Sequence, residues 1–217
     1  MELMEAIKQR HSVRQYTDKK IETNILAELQ EEIDACNREG GLHIQLVTDE
    51  PKAFDSFMAH YGKFSGVTNY IALIGRKSDR LEELCGYYGE HHVLKAQQLG
   101  LNTCWVAMTY KKIPDAFRVD KGEKLTVVIS LGYGKTQGIE HKSKTAEQVS
   151  NVSAGTPDWF KAGVEAALLA PTAMNQQKFK FTYDNGKVTA KAGLGFYSKV
   201  DLGIVKYHFE VASGRKL

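Results

Sequence analysis

Apolar positions along the chain recur at two spacings, and the change from one to the other marks out the elements. Leu3, Met4 and Ile7 share one face of a short helix over residues 1–9. Ile25, Leu26, Leu29, Ile33 and Cys36 fall at helical spacing behind Asn24, whose side chain suits an N-cap, and the pattern stops at Gly40-Gly41. Leu42, Ile44 and Leu46 then alternate with His43, Gln45 and Val47, which predicts a strand, and residues 51–64 hold Phe54, Phe57 and Met58 in a short helix. Asn69 to Gly75 is a continuous apolar run of the kind a central strand shows. A long helix is expected from Arg80 to Gly100, with strands at 101–107 and 125–131 on its far side. Further on, Thr156 is the expected N-cap and Pro157 the first position of a helix through Trp159, Val164, Ala167 and Leu168, stopped by Pro171. Strands 178–183 and 187–192 are joined by Asp184-Asn185-Gly186, a strong hairpin signal, and a last helix spans about 198–212 before Gly214.

This pattern is α+β: a central, mainly antiparallel sheet flanked by helices. Residues 135–156 are polar and read as a linker between an N-terminal half, 1–134, and a C-terminal half, 157–217. Residues from about 25 to 100 and from 159 to 214 repeat one order of parts (helix, polar turn, strand, connection, strand, long helix, glycine), which predicts an internal pseudo-duplication. At 217 residues and 42% hydrophobic the chain can bury a substantial core. Its net charge of +3 is spread among 26 acids without a basic arm, so nucleic acid is not the expected partner. Cys36, Cys85 and Cys104 are odd in number and widely spaced, and neither a signal peptide nor a membrane-span run is visible; a cytoplasmic protein with reduced thiols is expected. His91 and His92 have only Glu90 beside them in sequence, so no metal site is predicted.

Two stretches carry candidate chemistry. Arg10-His11-Ser12-Val13-Arg14 gathers three basic side chains and a hydroxyl, which could hold a terminal phosphate or could simply suit a helix C-terminus. Residues 170–177, Ala-Pro-Thr-Ala-Met-Asn-Gln-Gln, place a hydroxyl and three amides in one loop. Such groups match the imide edge of a flavin without charge, or serve a polar turn.

Together these stretches resemble the flavin-dependent nitroreductase family over most of the chain. Residues 10–16 are similar to its Arg-(Arg/His)-Ser-x-(Arg/Lys)-x-Phe, and Gly100-Leu-Asn-Thr-Cys-Trp-Val106 to its Gly-Leu-Gly-Thr-Cys-Trp-Ile. Residues 127–133, followed by Lys142-x-Lys144 and Glu147-Gln148-Val149, resemble its closing strand and basic segment. Residues 170–177 match Ala-Pro-Ser-x-x-Asn-x-Gln. In ordinary members that loop follows the arginine cluster closely and FMN lies at a homodimer interface; here Asp34 to Gly41 occupies the early place and the motif comes in the second half. The chain thus resembles a divergent branch whose two fused halves imitate the family homodimer, and it is expected to be a monomeric pseudo-dimer or a homodimer. Asp201-Leu202-Gly203-Ile204 echoes the start of the family's long core helix, and Lys178-Phe179 stands where the family has Pro-Trp.

The resemblance implies an FMN-dependent oxidoreductase taking electrons from NADH or NADPH and passing them to a nitroaromatic, a quinone or a similar acceptor. A flavin-binding protein without turnover is the alternative. Implied for FMN are Arg10, His11, Ser12 and Arg14 with Lys142 and Lys144 at the phosphate end. Trp105, Val106 and Ala107 are implied beside the ring, and Pro171, Thr172, Ala173, Met174, Asn175 and Gln177 on the ring or ribityl chain. No catalytic acid or nucleophile is expected, because the flavin carries the chemistry.

Overall fold

A computed structural model describes residues 1–217. Packing does not follow chain order: one compact unit takes Met1–Gln9, Glu82–Glu90 and Glu140–Leu217, the other Arg10–Leu81 and His91–Ile139.

The second of these, the sheet unit, contains α2 (Thr23–Gly40), β1 (Gln45–Val47), α3 (Phe57–Tyr61), β2 (Asn69–Arg76), the later part of α4 (Leu81–Gln98), β3 (Asn102–Val106) and β4 (Glu123–Gly132). Its four strands run antiparallel in the order β1-β2-β4-β3. All of β2 but its last residue is buried, as its continuous apolar run requires. Leu29, Ile33 and Cys36 form the buried stripe of α2, and Gly41, at φ 60°, ends the helix by giving its N–H to the Asn37 carbonyl.

Two local expectations change. Asn24 does not cap α2: the helix starts at Thr23 behind Glu22, whose carboxylate is held by the Tyr133 hydroxyl and by Lys19 at 2.9 Å. Strand β1 is short because the Asn37 amide takes both backbone groups of Ile44, receiving its N–H at 2.7 Å and donating to its carbonyl at 2.9 Å. Those groups are then lost to the ladder.

The hairpin unit contains α1 (Leu3–Gln9), residues 82–90 of α4, α5 (Ala146–Val149), α6 (Asp158–Leu168), β5 (Phe179–Asp184), β6 (Lys187–Ala192) and α7 (Ser198–Ser213). Strands β5 and β6 pair from Phe179↔Ala192 to Asp184↔Lys187, and Asn185 and Gly186, at φ 46° and 86°, make the left-handed turn that Asn-Gly favours. Phe181 stacks on Phe209 of α7 at 4.7 Å, and Phe160 of α6 meets the same ring at 5.8 Å. Thr156 turns its hydroxyl onto Ser153 and Pro157 takes the N-cap position of α6, so the expected cap does not form. Within the stretch expected as a linker, Thr145 and Gln148 build a capping box for α5, and Ser150 bridges to Phe181. No helix is long and apolar enough to cross a membrane.

Candidate functional site

In the sheet unit, the arginine segment is pinned as an extended strip. Val13 gives its N–H to Thr103 of β3 at 3.0 Å, Tyr16 to Ser65 at 2.9 Å, and Ser65 returns one to Arg14 at 3.1 Å. The buried Tyr16 hydroxyl donates to the Val13 carbonyl at 2.7 Å and lies 2.8 Å from the Ser130 hydroxyl. Lys135 closes the strip from the other side with its N–H on Gln15 at 2.9 Å. Arg10, Ser12 and Arg14 act on one buried group, the Cys104 thiol. Burial pushes that thiol up, while Arg14, a hydrogen bond from Ser12 and Arg10 pull it the other way. Arg10 is buried and Arg14 exposed. Trp105 and Ala107 are half-buried and Val106 is buried at the end of β3.

Gly138 fixes the turn that lies on this strip. Its φ is +75°, and an added Cβ would stand 2.7 Å from the His11 Cβ and 3.1 Å from the Ser12 carbonyl oxygen. Gly138→Ala is therefore expected to cost about 1–3 kcal/mol, seen as a lower urea midpoint at unchanged slope.

In the hairpin unit, α6 ends at Leu168 and the amide loop follows. Met174, Asn175 and Gln177 all take left-handed backbone conformations, at φ 51°, 53° and 45°. Each such non-glycine residue costs on the order of 1 kcal/mol, so the surrounding bonds must hold the loop in place. Gln177 is 2% exposed and its amide is spent inside the protein: it donates to the Lys142 carbonyl at 2.7 Å and to Asn175 Oδ1 at 2.7 Å, and accepts from the Lys144 N–H at 2.8 Å. Its backbone N–H goes to the Thr172 hydroxyl at 3.1 Å. Asn175 is exposed and donates once, to the Lys142 carbonyl at 2.8 Å, leaving one amide hydrogen to give. The Lys144 ammonium sits on the carbonyls of Gln176 and Gln177 at 3.0 and 2.9 Å. Only the Lys142 carbonyl is engaged; its ammonium is exposed and makes no bond or ion pair. Pro171 is buried, Thr172 and Ala173 are half-buried, and Met174 is 92% exposed.

The structure thus gathers Arg10, Ser12 and Arg14 around Cys104 in one unit, and Lys142, Lys144, Asn175 and Gln177 into one hydrogen-bonded loop in the other. Asp201 belongs with the second set although it was noted only as part of a helix start. Buried in the first turn of α7, its carboxylate accepts the Ala173 N–H at 2.9 Å and the Gln176 amide at 2.7 Å. Burial pushes the carboxyl up to about 6, against the pull of those two bonds. An acid at an otherwise apolar position of a helix was the signal that could have found it.

The family described as "Putative TM nitroreductase" matches residues 2–213. Among solved structures, a "putative nitroreductase" from Thermotoga maritima is similar at TM-score 0.68 and 24% identity, over 98% of this chain and 83% of that one. Another, from Desulfovibrio desulfuricans and in complex with FMN, is similar at TM-score 0.55 and 16% identity, over 71% of this chain and 98% of that one. A "Putative NADH Oxidase" from Clostridium acetobutylicum is similar at 0.52 and 19%, over 70% and 99%. At these identities the likeness is one of fold. No curated protein matches the chain.

Proposed function

The chain belongs to this nitroreductase family, and on that premise we propose that it is an FMN-dependent oxidoreductase, drawing a hydride from NADH or NADPH and delivering it to a nitroaromatic, a quinone or a similar acceptor. The observation that carries the reading is the amide loop. Three strained residues are held in place by an internal network that still leaves the Asn175 amide exposed with a hydrogen to give. A fixed neutral donor of this kind suits the edge of a flavin, and the FMN complex of the fold-similar nitroreductase from Desulfovibrio desulfuricans supports the choice of flavin.

The residues present fit FMN by their chemistry. Within the sheet unit Arg14 offers an exposed cation for a phosphate, Ser12 a hydroxyl and Arg10 a buried guanidinium; within the hairpin unit Lys142 offers an exposed cation of its own. Thr172 and Asn175 are assigned to the ring or ribityl chain. Gln177 is assigned to holding Asn175 and Lys142 in place, since its own amide is spent. Trp105, Val106 and Ala107 are assigned beside the ring. When bound, FMN supplies the hydride chemistry, and the protein binds and orients it and keeps one face open.

The test is the visible spectrum of the FMN-loaded chain before and after anaerobic NADH and NADPH. Oxidised-flavin bands that bleach with either donor support the reductase, bands that persist with both favour a flavin-binding protein without turnover, and failure to retain flavin overturns the assignment. Arg14→Ala should weaken FMN about ten- to a hundredfold, from the loss of a charge-assisted bond of about 1.5–3 kcal/mol. Because Arg14 is exposed, the fold should be unaffected, and equal FMN affinity in the variant would remove Arg14 from the phosphate site.

A further inference from the structure

We propose that Glu32, Cys36 and His91 form a binding site for one divalent transition-metal ion of the zinc or cobalt class, where α2 meets the later part of α4. The site is independent of the flavin reading. Glu32 and Cys36 stand four residues apart on α2 and so share one face of that helix. His91 comes from α4, opposite them. The two helices run antiparallel here, as paired side chains show: Glu28 meets Lys95 at 2.8 Å, and four residues on along α2, Glu32 meets His91, four residues back along α4, at 3.4 Å.

The donor atoms of Glu32, Cys36 and His91 all lie within 4.8 Å of one another. A tetrahedral zinc ion with bonds of about 2.0–2.3 Å needs ligand atoms about 3.3–3.6 Å apart. Two of the three edges are close to that already: His91 Nδ1 to Glu32 Oε1 is 3.4 Å, and Cys36 Sγ to the same oxygen is 3.7 Å. The Cys36 S–H donates to that shared oxygen, a hydrogen bond that keeps the sulfur on the same side of the carboxylate as the imidazole, where one ion could reach all three. The mixed sulfur, nitrogen and oxygen set suits zinc or cobalt and not calcium or magnesium. Cys36 is 3% exposed while the His91 and Glu32 side chains are 19% and 33% exposed, so the site opens to solvent on one side and its fourth position falls to water.

The other cluster of metal-ligating type, His43, Asp120 and Glu123, is already accounted for without an ion. His43 pairs with Glu123 at 2.8 Å, and Arg118 neutralises Asp120 at 2.9 Å. No such cation sits on Glu32, whose partner is an imidazole. Burial and Glu32 push the Cys36 thiol up to about 12, so without an ion it stays a thiol. Binding would break the S–H bond, form a sulfur–metal bond and release one proton to solvent; Glu32 binds as the carboxylate and His91 as the neutral ring, and nothing is oxidised or reduced.

The experiment is titration of the full chain, stripped with a chelator, with Co2+ alone. Difference spectra against the cobalt-free sample cancel any flavin absorption. One equivalent of Co2+ should bring up a thiolate-to-cobalt charge-transfer band and tetrahedral ligand-field bands, and Zn2+ should then bleach both by displacement. Cys36→Ser should abolish the charge-transfer band, and His91→Gln should weaken Co2+ binding by about tenfold or more. No charge-transfer band in molar excess of Co2+ overturns the proposal, and so does a band that survives Cys36→Ser, which would assign it to Cys85 or Cys104. Should Cys36→Ser fail to fold, the half-buried His91 decides: unchanged Co2+ affinity in His91→Gln overturns the site.

Discussion

Gly203→Ala is expected to prevent α7 from closing on residues 82–90 of α4, leaving little soluble, folded protein. A Cβ at position 203 would lie 2.0 Å from the Glu83 carbonyl oxygen and 2.5 Å from the Tyr87 nitrogen. Both are backbone atoms inside a helix, so no side-chain rotation relieves the clash. The crossing is reciprocal, because a Cβ at Gly86 would lie 2.0 Å from the Val200 carbonyl oxygen. Parting the helices would also stretch what this close approach allows: Lys206 on Glu83 at 2.5 Å, Tyr87 on Glu210 at 2.7 Å, and the fully buried His208–Glu90 pair at 2.8 Å. Overpacking typically costs about 1–3 kcal/mol, and breaking a buried ionisable pair about 3–5 kcal/mol. A loss of about 4 kcal/mol or more is thus expected, against a whole-protein stability of roughly 5–15 kcal/mol. Gly214→Ala is the control. Its φ is +67°, but nothing lies within 4 Å of the added Cβ, so it should cost only about 1 kcal/mol. If urea unfolding finds the two variants equally stable, the close helix crossing is not what position 203 protects.

That crossing also shows where sequence reading stops. Apolar spacing located α2, α4, β2 and β4, and Asn185-Gly186 located the hairpin turn, because each signal is written within a few neighbouring residues. The failures share the opposite character. Asn24 and Thr156 have the right chemistry for caps, but Tyr133 and Lys19 fix Glu22 at the start of α2, and Ser153 captures the Thr156 hydroxyl. Asn37 shortens β1 by taking up Ile44 across seven residues. The acid and thiol beside His91 were likewise out of reach of the local sequence, because they come from α2, more than fifty residues earlier in the chain.

At the candidate site the arginine segment and the amide loop were legible as motifs, since their residue types lie side by side in sequence. What each residue does within them was not. Gln177 was expected to face a ligand, and instead spends its amide on Lys142, Lys144 and Asn175. The Lys142 carbonyl organises the loop as much as its ammonium could serve a phosphate. Such divisions of labour depend on which lone pairs and hydrogens remain after folding, which no residue type announces.

Asp201→Ala is expected to release the amide loop and, with it, most of the affinity for FMN. The carboxylate holds the loop twice, through Ala173 and Gln176, and these are charge-assisted bonds of about 1.5–3 kcal/mol each. Without them the three left-handed residues lose their restraint. FMN should bind at least about a hundredfold more weakly near pH 7, and trypsin should cut faster after the exposed Lys178, a readout that needs no flavin. The pH dependence separates this role from a merely structural one. The folded carboxyl titrates near 6, above its ordinary value of 3.8, so the native state holds the extra proton between those values. The stability contributed by this group is therefore fully present below about pH 4, falls as pH rises to about 6, and by pH 7 is lower by on the order of 3 kcal/mol. Loop order runs the other way, because the ionised carboxylate makes both bonds charge-assisted and the protonated carboxyl accepts them more weakly: FMN affinity should fall and tryptic cutting should quicken as the wild-type protein is taken down through pH 6. In Asp201→Ala the trends in cleavage and affinity should vanish and the pH dependence of stability should lose this group's share, leaving the opposite slope set by the buried His92, whose imidazole burial pushes down to about 3. A variant that keeps the wild-type slope would place the titrating group elsewhere, and one that keeps the wild-type cleavage rate would show that Asp201 does not hold the loop.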